Sequence, residues 1–237
     1  MIASRPSVVF ASGQLLTAEV WEPQAAALAP DYDLIFSDHG RDDTIAGMAA
    51  RLLAEAPRSF HLVAHAMGGF TAFEVMCQAP ERVASLVLIA TMAPNDGPAQ
   101  TERRRGYIRL VEDGRFAGVV EERIPILVHP ARREDAPLLA IVRRMATDTG
   151  ATRFLGQQRA IMGRPDSRPS LAAIAVPTLV IRGEQDGITT QAHQDEMLAA
   201  IPGAKFVAIE DCGHLPTLEK PVTTDRILTE WLAKVSV

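Results

Sequence analysis

Six short runs of apolar residues rich in Val, Ile and Leu punctuate the chain, and four of them lead through turn residues into longer segments whose apolar positions repeat every three or four. The runs span Ser7 to Phe10, Asp33 to Phe36, Phe60 to Ala64, Ala84 to Ile89, Thr178 to Arg182 and Lys205 to Ile209. The helical segments span Thr44 to Glu55, Met67 to Gln78, Gln191 to Ala200 and Val222 to Lys234. Repeated strand-then-helix units of this kind fold into a mostly parallel sheet. Runs apolar at nearly every position fit strands covered on both faces, so helices are expected on each side of about six strands. Pro57, Pro80 and Pro202 stand just past three of the helices, where a residue without an N–H ends them.

The alternation breaks after Thr91 and resumes only at Ala175-Val176-Pro177. Between them lie helical spacings at Ala99 to Glu112, Phe116 to Leu127, Glu134 to Asp148 and Ala151 to Met162, with no strand-like run. The expected division is an α/β core of residues 1–97 and 169–237 carrying an all-helical insertion, 98–168. Charge divides along the same line. The net charge is −5, yet from Glu102 to Arg168 there are 14 of the chain's 21 arginines against nine acids. The aromatic residues in this stretch, Tyr107, Phe116 and Phe154, do not interleave with the arginines as a base-stacking surface requires, so nucleic acid is not expected as a partner and the arginines read as solvated helix faces.

With 47% hydrophobic and 22% charged residues the composition is that of a globular chain, which excludes disordered, collagen-like and coiled-coil classes. No apolar stretch is long enough to span a membrane, and the run Val8 to Ala11 is too brief for a signal peptide. A cytoplasmic location is therefore expected. Cys77 and Cys212 are too few and too far apart for a disulfide framework or a metal site.

The segment Phe60 to Phe70, FHLVAHAMGGF, reads as a buried strand, a tight turn and a helix. Its centre, Ala64-His65-Ala66-Met67-Gly68, resembles the nucleophile elbow G-x-S-x-G of the α/β-hydrolases, in which a serine is lifted from the sheet towards substrate. Here Ala66 occupies the serine's place and Ala64 that of the first glycine. Further along, Gly183-Glu184-Gln185-Asp186-Gly187 follows a strand, as does the family's acid-bearing turn. The segment Gly213-His214-Leu215-Pro216-Thr217-Leu218-Glu219-Lys220-Pro221 is similar to its histidine segment G-H-x-P-x-x-E-x-P. The order nucleophile, acid, histidine is that of the family. The helical insertion resembles the family's cap.

The resemblance implies a serine hydrolase acting on a small molecule through an acyl-enzyme, with no metal and no organic cofactor. Position 66 would carry the nucleophile, Asp186 the orienting acid and His214 the base. The backbone N–H groups of Met67 and Gln14 would hold the oxyanion, although most relatives carry His-Gly where this chain has Ser12-Gly13. An ester is the first expectation, ahead of lactones, thioesters and amides. Alanine deletes a hydroxyl and little else, and its neighbours are those of an active enzyme, which favours a deliberate Ser→Ala replacement that holds ligand unreacted over a natural non-catalytic form. A ligand-binding or sensor protein on the same fold is the alternative, followed by a lyase or carbon–carbon bond hydrolase using the same triad.

No other side chain replaces the missing hydroxyl. Ser12 belongs to the oxyanion loop, Cys77 is expected to face packing from the elbow helix, and Cys212 reads as a buried thiol. His61, His65, His193 and Asp195 read as structural. Candidates for the pocket wall are Leu15, Leu16, Met67, Met92, Ile124, Leu127, Met145, Phe154 and Met162. An apolar wall of this kind would suit an acyl or aromatic group better than a sugar. The oligomeric state is left open.

Overall fold

Strand β3, Phe60–His65, is buried at every position and sits inside a six-stranded, all-parallel sheet. The computed structural model describes residues 5–235. The other strands are β1 (Ser7–Ala11), β2 (Asp33–Ser37), β4 (Val83–Ile89), β5 (Thr178–Gly183) and β6 (Lys205–Ile209). Their spatial order is β2-β1-β3-β4-β5-β6, so the chain runs outwards from β1 to one edge, crosses back to β3 and then proceeds to the other edge. The direction of winding reverses beside β1 and β3, and open α/β sheets bind ligands beyond the strand ends at such a point.

Side chains of successive strand residues point to opposite faces, and two cores follow from that period of two. Val8, Phe10, Val63, Val87 and Ile181 pack on one face with Leu28 of α1 (Glu22–Leu28) and Leu228 and Leu232 of α9 (Pro221–Val235). Val9, Leu62, Leu86, Leu88 and Val180 pack on the other with Leu52 of α2 (Ile45–Glu55), Phe73 of α3 (Met67–Gln78) and Met197 of α7 (Gln191–Ala200). Each fully buried Leu, Val or Phe contributes about 1.5–3 kcal/mol relative to exposure, which makes this double core the main source of stability. The short helix α8 (Pro216–Glu219) precedes α9.

Between β4 and β5 the chain forms α4 (Pro98–Glu112), α5 (Phe116–Leu127) and α6 (Ala136–Met162). The spacing predicts two helices over 134–162, and α6 is two helical segments joined across a kink at Gly150, whose φ of 73° and ψ of 167° break the helical path. Glycine adopts that conformation without the strain of a Cβ. The helix Glu22–Leu28 was not anticipated, because its sequence EPQAAAL is too short and too alanine-rich to show a period.

Candidate active site

The turn after β3 holds Ala66 at φ 50°, ψ −110°, a conformation that costs a residue with a Cβ of order 1–3 kcal/mol unless its surroundings impose it. They do: the Ala66 N–H donates to the Ile89 carbonyl at 2.9 Å, and its own carbonyl accepts from the Gly69 N–H at 2.9 Å and the Thr91 hydroxyl at 2.8 Å. Gly68 and Gly69 are required by close approach, since a Cβ on Gly68 would overlap the Ala11 carbonyl and one on Gly69 the Thr91 side chain. The chain is thus bent sharply from β3 into α3, with the Cβ of residue 66 at the lip of a cavity.

The β1 loop lies alongside. A Cβ on Gly13 would stand 3.2 Å from the Ala66 Cβ and 2.9 Å from His65 Nδ1, so only glycine lets the loop come this close. Leu15 adopts φ 62°, and its N–H donates to Gln157 Oε1 at 3.1 Å. The N–H groups of Gln14 and Met67 make no hydrogen bond among the described residues, and both residues line the cavity. Met67 opens α3, so its N–H also carries the partial positive charge of a helix N-terminus.

His214 and Asp186 meet over the sheet edge. His214 Nδ1 is 3.0 and 2.9 Å from the two Asp186 carboxylate oxygens, both residues being buried. Asp186 also accepts from the Ile188 N–H at 2.7 Å, the Thr189 N–H at 3.1 Å and the Thr189 hydroxyl. Burial alone would raise its pKa; the His214 charge and the hydrogen bonds from His214, Thr189 and Ile188 more than offset this and hold it at about 2. Gly183 makes the meeting possible, because a Cβ there would overlap the Gly213 carbonyl. The histidine loop is clamped by Glu219, whose Oε1 accepts from the Gly213 and Leu215 N–H groups at 3.0 and 3.1 Å. His65 ties this loop to the elbow through Nε2, 2.7 Å from the His214 carbonyl. It is fully buried, and burial together with the nearby His214 pushes its pKa down to about 3.

Ala66, Met67, Gln14 and His214 line one cavity of about 360 Å3. A larger, open depression of about 670 Å3 lies between β6 and α9 and contains none of these residues. Of the apolar candidates, Leu16, Met67, Met92 and Leu127 line the smaller cavity. Leu15, Ile124, Met145, Phe154 and Met162 do not; the first four are core, where apolar residues at helical spacing most often go.

The expected solvated faces of the arginine-rich helices need correction too. Arg103, Arg104, Arg123 and Arg164 all line this cavity, with Asp96 as the sole carboxylate among its lining residues. The Asp96 carboxylate lies between Arg104 Nε and Arg164 Nη1, the latter at 2.9 Å. Sequence reasoning missed these residues because an inward arginine on a helix has the same pattern as an outward one. The available signal was the local excess of 14 arginines over nine acids, which ion pairing within the insertion cannot neutralise.

His193 caps α7 through Nδ1, 3.1 Å from the Thr190 N–H, and also borders the cavity. Ser12 accepts from Trp21 Nε1 at 2.9 Å, a structural role. Cys212 is buried, and burial pushes its thiol pKa up, whereas Cys77 is exposed rather than packed, on the solvent side of α3.

An acid-paired histidine, a strained strand-to-helix turn and free backbone donors around one cavity define the architecture of an α/β-hydrolase. The chain belongs to the alpha/beta hydrolase family, whose sequence pattern it matches over residues 8–225. It is 29% identical over 251 aligned positions to a putative carbamate hydrolase, RutD, of Pseudomonas savastanoi pv. phaseolicola, covering 97% of this chain and 95% of that protein. It is 28% identical to the pimeloyl-[acyl-carrier protein] methyl ester esterase of Nitrosomonas europaea, covering 91% of each. Among solved structures it resembles a malate-bound thermophilic esterase from Thermogutta terrifontis, with TM-score 0.89 and 27% identity over 98% of this chain and 91% of that one.

Proposed function

We propose that the chain is a serine hydrolase of small carboxylic esters, or of the related lactones, thioesters or amides, with its nucleophile replaced by alanine. The observation that carries this reading is the His214–Asp186 pair, at 2.9 and 3.0 Å, whose histidine lines the same cavity as the elbow residue Ala66. With serine at position 66, His214 Nε2 would take the hydroxyl proton as the oxygen attacks the carbonyl carbon. Asp186 would fix the imidazole tautomer and stabilise its charged form. The Gln14 and Met67 N–H groups would receive the oxyanion, His214 would return the proton to the leaving group, and water would cleave the acyl-enzyme by the same steps.

In this reading α4 to α6 act as a cap, residues 98–168, over a core of 1–97 and 169–237, whose outermost residues 1–4 and 236–237 lie outside the described ones. The alanine fits a deliberate replacement. The elbow keeps its costly backbone conformation at a residue that gains nothing from it, and the acid–histidine pair is intact. Curated relatives named as a carbamate hydrolase and a methyl ester esterase support acyl chemistry on small substrates.

The test is Ala66→Ser assayed against 4-nitrophenyl esters and simple lactones. Nucleophile loss in serine hydrolases costs on the order of 10⁶ in turnover, or about 8 kcal/mol, and a gain of that order is expected. Silence of the serine form across the panel, with tight ligand binding by the alanine form, would favour a sensor. Activity on cyanohydrins or diketones but not esters would favour a lyase or carbon–carbon bond hydrolase.

A further inference from the structure

Three of the four cavity-lining arginines are drawn inwards, but they are not equivalent. Arg104 is committed to Asp96 and to Gln158 Oε1, the latter at 3.0 Å. Arg164 is committed to Asp96, to the Ile161 and Pro94 carbonyls at 2.8 and 2.9 Å, and to the Phe70 ring face at 4.1 Å. Arg123 has neither a hydrogen bond nor an ion pair among the described residues, and its Nε is shut off from solvent. Its guanidinium lies 5.6 Å from the Tyr107 ring centre and 6.0 Å from that of Phe154, contacts that locate the group but use none of its donors.

A guanidinium offers five N–H donors in a planar fork, and leaving them unmet at a partly desolvated position is costly. The cost is visible as a pKa brought down to about 10 by burial and by the charge of Arg104. Proteins tolerate such an arrangement where a ligand supplies the acceptor. The planar fork matches the two oxygens of a carboxylate, and the cavity volume of about 360 Å3 is at the small end of ligand sites. Of the two cavity-lining arginines without a hydrogen bond or ion pair among the described residues, Arg103 is exposed and only Arg123 is drawn inwards, and one such fork suits a monoanionic group better than a phosphate dianion.

We infer that the substrate bears a carboxylate, apart from the carbonyl under attack, and that Arg123 receives it. This rests on the hydrolase reading and narrows its substrate class to anionic acyl compounds such as half-esters of dicarboxylic acids. Arg104 and Arg164, fixed by Asp96, keep the surrounding potential positive, while Arg123 makes the direct contact.

Two measurements test the inference. First, binding of adipate, dimethyl adipate and inorganic phosphate to the Ala66 chain is measured by calorimetry, with Arg123→Gln beside it. Adipate is expected to bind about 10- to 100-fold more tightly than either alternative, and to lose that margin in the variant. Second, Ala66→Ser is assayed with 4-nitrophenyl hydrogen adipate and 4-nitrophenyl hexanoate, which differ only in the distal group. The kcat/KM ratio is expected to favour the anionic ester by a similar factor, mostly through KM, and to fall to near unity on adding Arg123→Gln. If that variant does not fold, the native-Arg123 comparisons still decide. Adipate bound no better than its dimethyl ester or phosphate, or hydrolysis with no anionic preference, overturns the inference and leaves the hydrolase standing. Adipate bound through Arg123 by a chain whose serine form cleaves neither ester retains the anion site and removes the hydrolase.

Discussion

The cavity has two unlike walls. The floor is assembled from loops at the ends of β1, β3, β5 and β6, and its shape is held by backbone hydrogen bonds, glycines in close contact and one buried acid–histidine pair. The roof comes from helices, and its character is set by the long side chains Arg103, Arg104 and Arg123 together with Asp96 and Arg164 from the flanking loops. The floor leaves neutral groups without partners among the described residues, the Gln14 and Met67 N–H groups, the Gln14 amide and His65 Nδ1, whereas the roof leaves an inward guanidinium, that of Arg123, without one. The contrast separates two tasks. A rigid floor fixes where bonds change, and a cationic roof selects what is held there.

The floor is most sharply tested at Asp186. In the serine form, Asp186→Asn is expected to lower kcat by about 10⁴, because the amide holds His214 in the wrong tautomer. Adipate affinity in the same variant should stay within about threefold, since Arg123 is on the other wall and contacts neither residue. A parallel loss of binding, read by calorimetry, would show that floor and roof are not separable.

The roof breaks at Asp96. Its side chain is 6% exposed and that of Arg164 2%, so neutralising the carboxylate leaves two guanidinium groups close together with no counter-charge. Removing one partner of a buried pair costs about 3–5 kcal/mol, and Asp96→Asn is expected to lose stability of that order in urea unfolding. Anion binding should tighten in the surviving folded protein, because the one carboxylate competing for the arginines is gone. A loss below about 1 kcal/mol would mean that the roof relaxes around the charge.

These walls also differ in how far the sequence discloses them. Floor residues are set by local backbone demands: Gly68 under the Ala11 carbonyl, Gly183 against Gly213 and Pro216 after the histidine leave a spaced motif that is legible before folding. Strand ends were predicted to within one residue for the same reason, the turn chemistry being local. Whether Arg123 faces inwards depends on how α4, α5 and α6 pack, and no spacing within one helix records it. Phe154 and Met145 illustrate the same limit in reverse, since both share the apolar period of a pocket wall and lie in the core. Glu219 shows the intermediate case: its motif position is evident in the sequence, while its clamp on the Gly213 and Leu215 amides exists only in the folded loop.

Acid distinguishes the walls by the order in which they weaken. In the floor, His65 is buried with its folded pKa near 3, facing His214 and Asp186; outside the site, His39 is buried with its pKa lowered to about 4 by burial, against the opposing charges of Asp38 and Asp42. Both groups bind a proton more readily in the unfolded chain, whose ordinary histidine pKa is about 6.5, so the stability gained by keeping them neutral is complete above that pH and declines as pH falls towards 4. Two such protons give a slope of up to about 2.7 kcal/mol per pH unit, and one gives about 1.4. The depressed carboxylates have the same sign in a lower window: Asp186 at about 2 and Asp96, held down against burial by Arg104 and Arg164, add stability above about pH 4 that is lost only below it. His39→Leu should therefore lower the slope between pH 6 and pH 4.5 in urea unfolding by up to about 1.4 kcal/mol per pH unit, leaving the contributions of His65 and of His61 and His193, whose pKa values burial also lowers. Adipate itself takes up protons over that interval, so the probe there is an alkyl sulfonate, which stays ionised; its Arg123-dependent binding should survive, because the Arg123 guanidinium keeps its charge. Loss of sulfonate affinity in step with the His65 slope would place the anion against the floor instead of the roof.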